Sequence, residues 1–202
     1  MALQKLNMQS IRIGASADIQ IRIETSEVEF ALISSISRSA PARVVTQAAH
    51  GLLDGWRASV IDAKGMVAIN DVRPASVSVV DTTTIDLDGV SSLGMSAHTA
   101  DSGALKWYAP KDLSGYTGAR MDIKRAVGAT AVLSLHTDDG TLEIDAAASS
   151  VWIRLSPTAL SDAGVTARDY YFDIELIRPD GVDAICAATS TVTVLPEITT
   201  ST

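Results

Sequence analysis

The sequence feature that most constrains the fold is a two-residue alternation of apolar and polar side chains that breaks off and later resumes. Ile19, Ile21 and Ile23 alternate with polar residues, as in a strand with one buried and one solvated face. About 75 residues of different character follow, and the interrupted pattern resumes near residues 111–116. The break predicts one β domain that is split in the chain by a second, inserted domain.

The same alternation recurs along most of the chain and predicts an almost entirely β protein. Strands are predicted around residues 11–13, 19–23, 77–79, 85–87, 121–123, 133–135, 151–155, 170–176 and 192–194. Turn residues fall between them, at Asp54-Gly55, Asn70-Asp71, Asp88-Gly89, Asp139-Gly140 and Pro179-Asp180-Gly181. This spacing favours a sandwich or a barrel, with one short helix predicted after Ser156-Pro157.

Length and composition place the domain boundaries. A chain of 202 residues exceeds the usual size of one domain, about 100 to 150 residues. Residues 1–32 and 108–202 are predicted to form a discontinuous immunoglobulin-like sandwich, and residues 33–107 an inserted small β-barrel. Aromatic residues are only 4% of the chain, so the cores depend on aliphatic side chains, with Trp56, Trp107 and Trp152 as predicted anchors.

Charge and cysteine content exclude several classes of function. A net charge of −8 disfavours binding to nucleic acid and to anionic lipid surfaces. The sequence has no uncharged apolar stretch of about 18 residues, so no membrane-spanning helix is predicted. Cys186 is the only cysteine, which excludes an intramolecular disulfide and a cysteine-based zinc site, and it is predicted to be an inert buried thiol.

No pattern of residues predicts catalysis, a cofactor or a metal. His50, His98 and His136 stand in separate segments without the short spacing of metal ligands, and His50 is predicted to tighten a turn through its ring nitrogens. The sequence also lacks the nucleophile-elbow, P-loop and dinucleotide-binding motifs. The adjacent carboxylates Asp138 and Asp139 precede a glycine and are predicted to be hairpin-turn residues, not a glycosidase pair. The chain is therefore not expected to be an enzyme.

Trp152 is the aromatic residue that best fits a contact surface. It is out of phase with Val151, Ile153 and Leu155 and therefore belongs to the face opposite the core. Two interpretations are open, a protein interface and a sugar-stacking residue. The enrichment of Trp in protein contact patches favours the interface.

The flanking segments resemble the immunoglobulin-like N-terminal domain of phage baseplate upper proteins and related tail-fibre adaptors. The segments that carry the resemblance are residues 11–18, 112–123, 156–161, 170–176, 179–181 and 192–199. In such relatives the Leu-Ser-Gly-Tyr segment, here Leu113 to Tyr116, follows the first strands after a few residues. In this chain the insert separates them.

The insert, residues 37–107, is similar to a small β-barrel module of phage tail proteins and of the first catalytic-cysteine half-domain of ubiquitin-activating enzymes. The matching segments are residues 44–52, 67–72, 77–87 and 103–105. No catalytic cysteine accompanies them, so the resemblance implies the fold and not the transfer chemistry.

Together the resemblances imply a structural virion protein of a tailed bacteriophage, a baseplate or tail-tip adaptor that links the tail to receptor-binding fibres. It is expected to be made in the host cytoplasm, to need no cofactor, and to form a symmetric homo-oligomer that docks on other tail or baseplate proteins. The residues expected at interfaces are Trp152, Tyr108, Leu195, Pro196 and Ile198. The alternatives are a glycan-binding module, with Trp56 and Trp107 as its candidate platform, and a capsid decoration protein.

Overall fold

The computed structural model describes residues 10–181 and 183–198, with side chains given for 10–181 and 190–198. Its strands, in chain order, are β1 Ile11–Arg12, β2 Ala17–Arg22, β3 Glu24–Ile36, β4 Ala42–Thr46, β5 Arg57–Ile61, β6 Ala75–Val79, β7 Thr84–Leu87, β8 Ala104–Pro110, β9 Gly118–Lys124, β10 Ala131–His136, β11 Leu142–Asp145, β12 Ser150–Leu155, β13 Arg168–Ile177 and β14 Asp183–Leu195. A 3₁₀ helix covers Val67–Asp71, and the helix α1 covers Ala159–Asp162. The prediction of an all-β fold that contains a small barrel is confirmed.

The chain divides into two compact units, Met1–Ser26 with Pro110–Thr202, and Glu27–Ala109. The boundaries suggested by composition, at residues 33 and 107, lie inside the second unit. The boundaries differ because β3, which begins before residue 33, and β8, which ends after residue 107, are both strands of the barrel.

The first unit is a two-sheet sandwich. One sheet has the order β1-β14-β13-β9-β10, and the other has the order β11-β12-β2. Alternate residues of these strands point between the sheets, because side chains of a strand alternate between its two faces. The largest fully buried side chains of this core include Leu113, Met121, Tyr170 and Phe172.

Tyr170 links the core to the turn that precedes β13. Its ring is fully buried, and its hydroxyl oxygen accepts a hydrogen bond of 3.0 Å from the Thr166 backbone N–H. A tyrosine near the start of a strand that binds the backbone a few residues upstream is the tyrosine corner of immunoglobulin-like sandwiches. The short helix α1 lies just before this corner, where the Ser156-Pro157 signal predicts one.

The outer face of the five-stranded sheet carries charged side chains in register. Asp122 on β9 and Asp173 on β13 are direct cross-strand partners. The Lys124 ammonium lies between their carboxylates, with Nζ 3.2 Å from Asp122 Oδ2 and 3.7 Å from Asp173 Oδ2. Burial alone raises the pKa of Asp122, but hydrogen bonds from Ser134 and Lys124 outweigh it and hold that pKa below its ordinary value.

Replacing Lys124 by methionine is expected to lower the free energy of unfolding by about 0.5–1 kcal/mol at pH 7, because two facing carboxylates lose their shared cation. An acid with a depressed folded pKa adds stability above its unfolded pKa, about 3.9, and loses that contribution as the pH falls through the folded value. The difference between wild type and variant should therefore narrow below about pH 4. Urea unfolding at several pH values measures it. An equal loss in the control Arg125→Met, or a difference independent of pH, contradicts this account.

The second unit is a closed six-stranded barrel with the order β3-β4-β7-β6-β5-β8. Its interior is filled by side chains, as expected for a small barrel. Trp56 and Trp107, both predicted core anchors, are buried here at 0% and 4% exposure. The Trp56 indole N–H donates to the Tyr108 carbonyl (2.8 Å), and that of Trp107 donates to Glu29 Oε2 (2.8 Å).

Candidate docking surface

An exposed apolar stripe runs along one strand of the barrel. On β3 the side chains of Val28, Phe30 and Leu32 are 37%, 57% and 62% exposed. Between them Ala31 is half-buried and Ile33 fully buried, and both pack in the barrel core. The strand therefore turns one apolar set inward and a second apolar set to solvent.

The neighbouring strand β8 extends this surface. The Ile33 N–H donates to the Gly103 carbonyl (3.1 Å), and the Glu29 carboxylate accepts from the Trp107 indole. The partners of these two bonds run in opposite directions along the chain, which indicates that β8 is antiparallel to β3. In that register Tyr108 lies beside Val28. Tyr108 is 44% exposed. Its neighbours on β8, Trp107 and Ala109, are buried, so Tyr108 belongs to the outward face of the strand. We call Val28, Phe30, Leu32 and Tyr108 the β3 strip.

The β3 strip concentrates exposed apolar side chains. Ten large hydrophobic residues are exposed in the part of the chain that the structure describes, and four of them lie on these two adjoining strands. Scattered exposed hydrophobic residues are normal on a protein surface, whereas a contiguous patch marks a site of interaction. The β3 strip is therefore the best candidate for a docking surface.

The β3 strip is uncharged, in contrast to the acidic chain as a whole. The outward positions of β3 from Val28 to Ser34 carry no charged side chain, although the chain has a net charge of −8. On β8 the outward position beside Tyr108 is Lys106, whose side chain is half-buried. The two acids nearest in sequence, Glu27 and Glu29, are exposed but alternate out of phase with the strip.

The tryptophan predicted for the interface, Trp152, lies on the solvent face of the three-stranded sheet and is half-buried. The Arg154 guanidinium stacks over its ring, 4.6 Å from the centroid. Arg154 also pairs with Asp18 and Glu143, at 3.1 Å each, and these carboxylates raise the pKa of its guanidinium. A Trp–Arg pair held in this way is the kind of rigid group found at interface hot spots.

The other predicted interface residues lie at the C-terminal end of the sandwich unit. Leu195 ends β14 and is half-buried, and the Pro196 carbonyl accepts a hydrogen bond of 2.8 Å from Arg12 Nη1. Ile198 is exposed. Residues 199–202 and the Cys186 thiol lie outside the described part of the structure, so the burial of this thiol stays a prediction.

The residues considered for chemistry have structural partners. The His50 ring accepts from the Leu52 N–H at Nδ1 (3.0 Å) and lies 3.0 Å from the Asp81 carbonyl at Nε2, which confirms its predicted role in a turn. Asp139 accepts hydrogen bonds from the Thr141 N–H and hydroxyl. The prediction of a hairpin turn there is wrong, because β10 and β11 belong to different sheets and the turn crosses between them.

The described residues hold no group of three or more His, Cys, Asp or Glu side chains arranged to bind a metal ion. Across the described ranges, no helix combines the length and hydropathy needed to span a bilayer.

Sequence reasoning identified Tyr108 but missed the other three members of the β3 strip. The available signal is the run Phe30-Ala31-Leu32-Ile33, in which four consecutive apolar residues place apolar side chains on both faces of one strand. A strand of this kind in a closed barrel has one face in the core, so its second apolar face needs another cover.

Comparison with known proteins adds no identification. No family model matches the chain, and no curated protein matches its sequence.

Proposed function

We propose that this chain is a structural virion protein of a tailed bacteriophage, a baseplate or tail-tip adaptor that connects the tail to receptor-binding fibres by protein–protein docking. The β3 strip is the observation that carries the docking role, because an exposed apolar patch of this kind marks a contact surface. The Trp152–Arg154 pair supports a second contact on the sandwich unit.

The phage assignment is supported by the organisation of the chain. A barrel of residues 27–109 enters a sandwich between β2 and β9. The resemblance to tail-fibre adaptors implies a sandwich in the flanks, and the resemblance of the insert implies a small barrel.

The glycan-binding alternative has less support. Its candidate platform on the barrel, Trp56 and Trp107, is buried in the core and offers no ring face to a sugar. On the sandwich unit, Arg154 covers one face of the Trp152 ring.

Electron microscopy of phage particles with a gold-labelled antibody against this chain tests the proposal. Label at the tail end is expected. Label on the head supports the capsid decoration alternative instead, and particles without label overturn a virion role. A glycan array with the purified chain is the complementary measurement, and specific sugar binding there favours the glycan-binding alternative.

A further inference from the structure

The extent of the β3 strip matches one side of an ordinary protein interface. A fully exposed aromatic side chain offers about 150–250 Å², so the exposed fractions of the four residues correspond to roughly 350 Å² of apolar surface. A standard interface buries about 800 Å² on each partner, of which a little more than half is apolar. The strip therefore supplies most of the apolar surface that one side requires.

The barrel restricts how a partner can contact the strip. β3 lies between β4 and β8 in the closed barrel, and its register with β4 covers Ile33 to Ile36. A partner that covers the exposed face must meet the side chains of Phe30 and Leu32 with an apolar face of its own. The β3 strip is itself such a face.

Charge favours a second copy as that partner. Two molecules that each carry a net charge of −8 repel each other, and self-association needs a contact without facing carboxylates. The outward positions of β3 from Val28 to Ser34 are uncharged. Adjoining segments carry charges of both signs, Lys106 on β8 and Asp101, whose N–H donates to the Ser34 carbonyl. Different proteins are commonly brought together by complementary charges around the contact, and these β3 positions provide none.

We propose that the β3 strip is the contact between two copies of this chain, related by a two-fold axis, with Phe30 and Leu32 of each copy packed against the strip of the other. Such an isologous contact uses the same patch twice. This inference rests on the proposed docking function and names one of its partners.

Leu32→Lys tests the contact, and Leu93→Lys is its matched control. Both leucines belong to the barrel unit and are exposed to nearly the same fraction, 62% and 59%, but Leu93 lies outside the strip. Sedimentation equilibrium of the full chain is expected to show a dimer for wild type and Leu93→Lys. For Leu32→Lys the dimer dissociation constant should rise about 100-fold, because both copies lose an apolar anchor. Circular dichroism checks that both variants are folded.

Two results overturn the inference: a wild-type chain that stays monomeric at about 100 μM, well above the dissociation constants of specific interfaces, or a Leu32→Lys dimer as tight as wild type. The labelled particles separate this failure from that of the proposed function. Tail-end label with a monomeric chain rejects the dimer and keeps the adaptor role. A dimer broken by Leu32→Lys, together with particles that carry no label, supports the contact and rejects the virion role.

Discussion

Replacing Trp56 by alanine is expected to lower the free energy of unfolding of the barrel unit by about 3–5 kcal/mol. The side chain is fully buried, and it is among the largest in the barrel core. Its removal leaves a cavity that a closed ring of strands fills poorly by relaxation. The Tyr108 carbonyl also loses its indole donor. Because small domains have total stabilities of only about 5–15 kcal/mol, this loss is a large fraction of the stability of the unit.

Hydrogen exchange read by mass spectrometry measures this effect for each unit separately. Peptides from Glu27–Ala109 should lose protection in Trp56→Ala far more than peptides from the sandwich unit. Trp56→Phe is the control, because it keeps much of the ring volume and removes the N–H, and a loss of about 1–2 kcal/mol is expected. If Trp56→Ala and Trp56→Phe lost the same free energy of unfolding, the cavity would not be the main cause of the destabilisation.

Replacing Gly65 by alanine is expected to lower the free energy of unfolding of the barrel unit by at least about 3 kcal/mol. Gly65 has a φ of +75°, where a side chain is strained. A Cβ built there lies only 2.2 Å from the Ala97 carbonyl oxygen and 2.9 Å from the Thr99 backbone nitrogen. Both are backbone atoms, and the Thr99 N–H is bound to the Lys64 carbonyl. The loop therefore cannot yield without losing that hydrogen bond.

Gly89→Ala is the control that separates the steric contact with the Ala97 carbonyl from the strain of a positive φ. Gly89 has nearly the same φ, +71°, but nothing lies within 4 Å of its built Cβ. Its substitution should cost about 1 kcal/mol, the penalty of a left-handed alanine. Urea unfolding of the two variants gives the difference directly. Similar losses at the two positions would mean that the Ala97 contact contributes little.

The strands of the sandwich unit could be predicted because each has one face in the core and the other face towards solvent. Tyr170, Phe172 and Ile174 point inward while Asp173 and Glu175 point outward, so hydrophobic alternation and burial coincide. The inserted unit was also indicated by the change in composition. The compact unit begins at Glu27 and not at residue 33, because β3 continues the same alternation across residues 27–32 and composition alone shows no break there.

The candidate docking surface was harder to predict than the fold. Alternation along β3 separates the residues into two faces, but it does not tell which face the core covers. The structure buries Ile33 and leaves the other apolar set, Val28, Phe30 and Leu32, exposed. That choice depends on the pairing of β3 with β4 and β8, which is a long-range property.

The closed barrel has a consequence for how this surface can change in evolution. Hydrogen bonds between strands hold the ring together, and the exposed positions of β3 take no part in the packing of its interior. New specificity at that surface can therefore arise by exchanging a few outward side chains, while the scaffold beneath them keeps its shape. A lineage could acquire a different neighbour in this way without redesigning the fold.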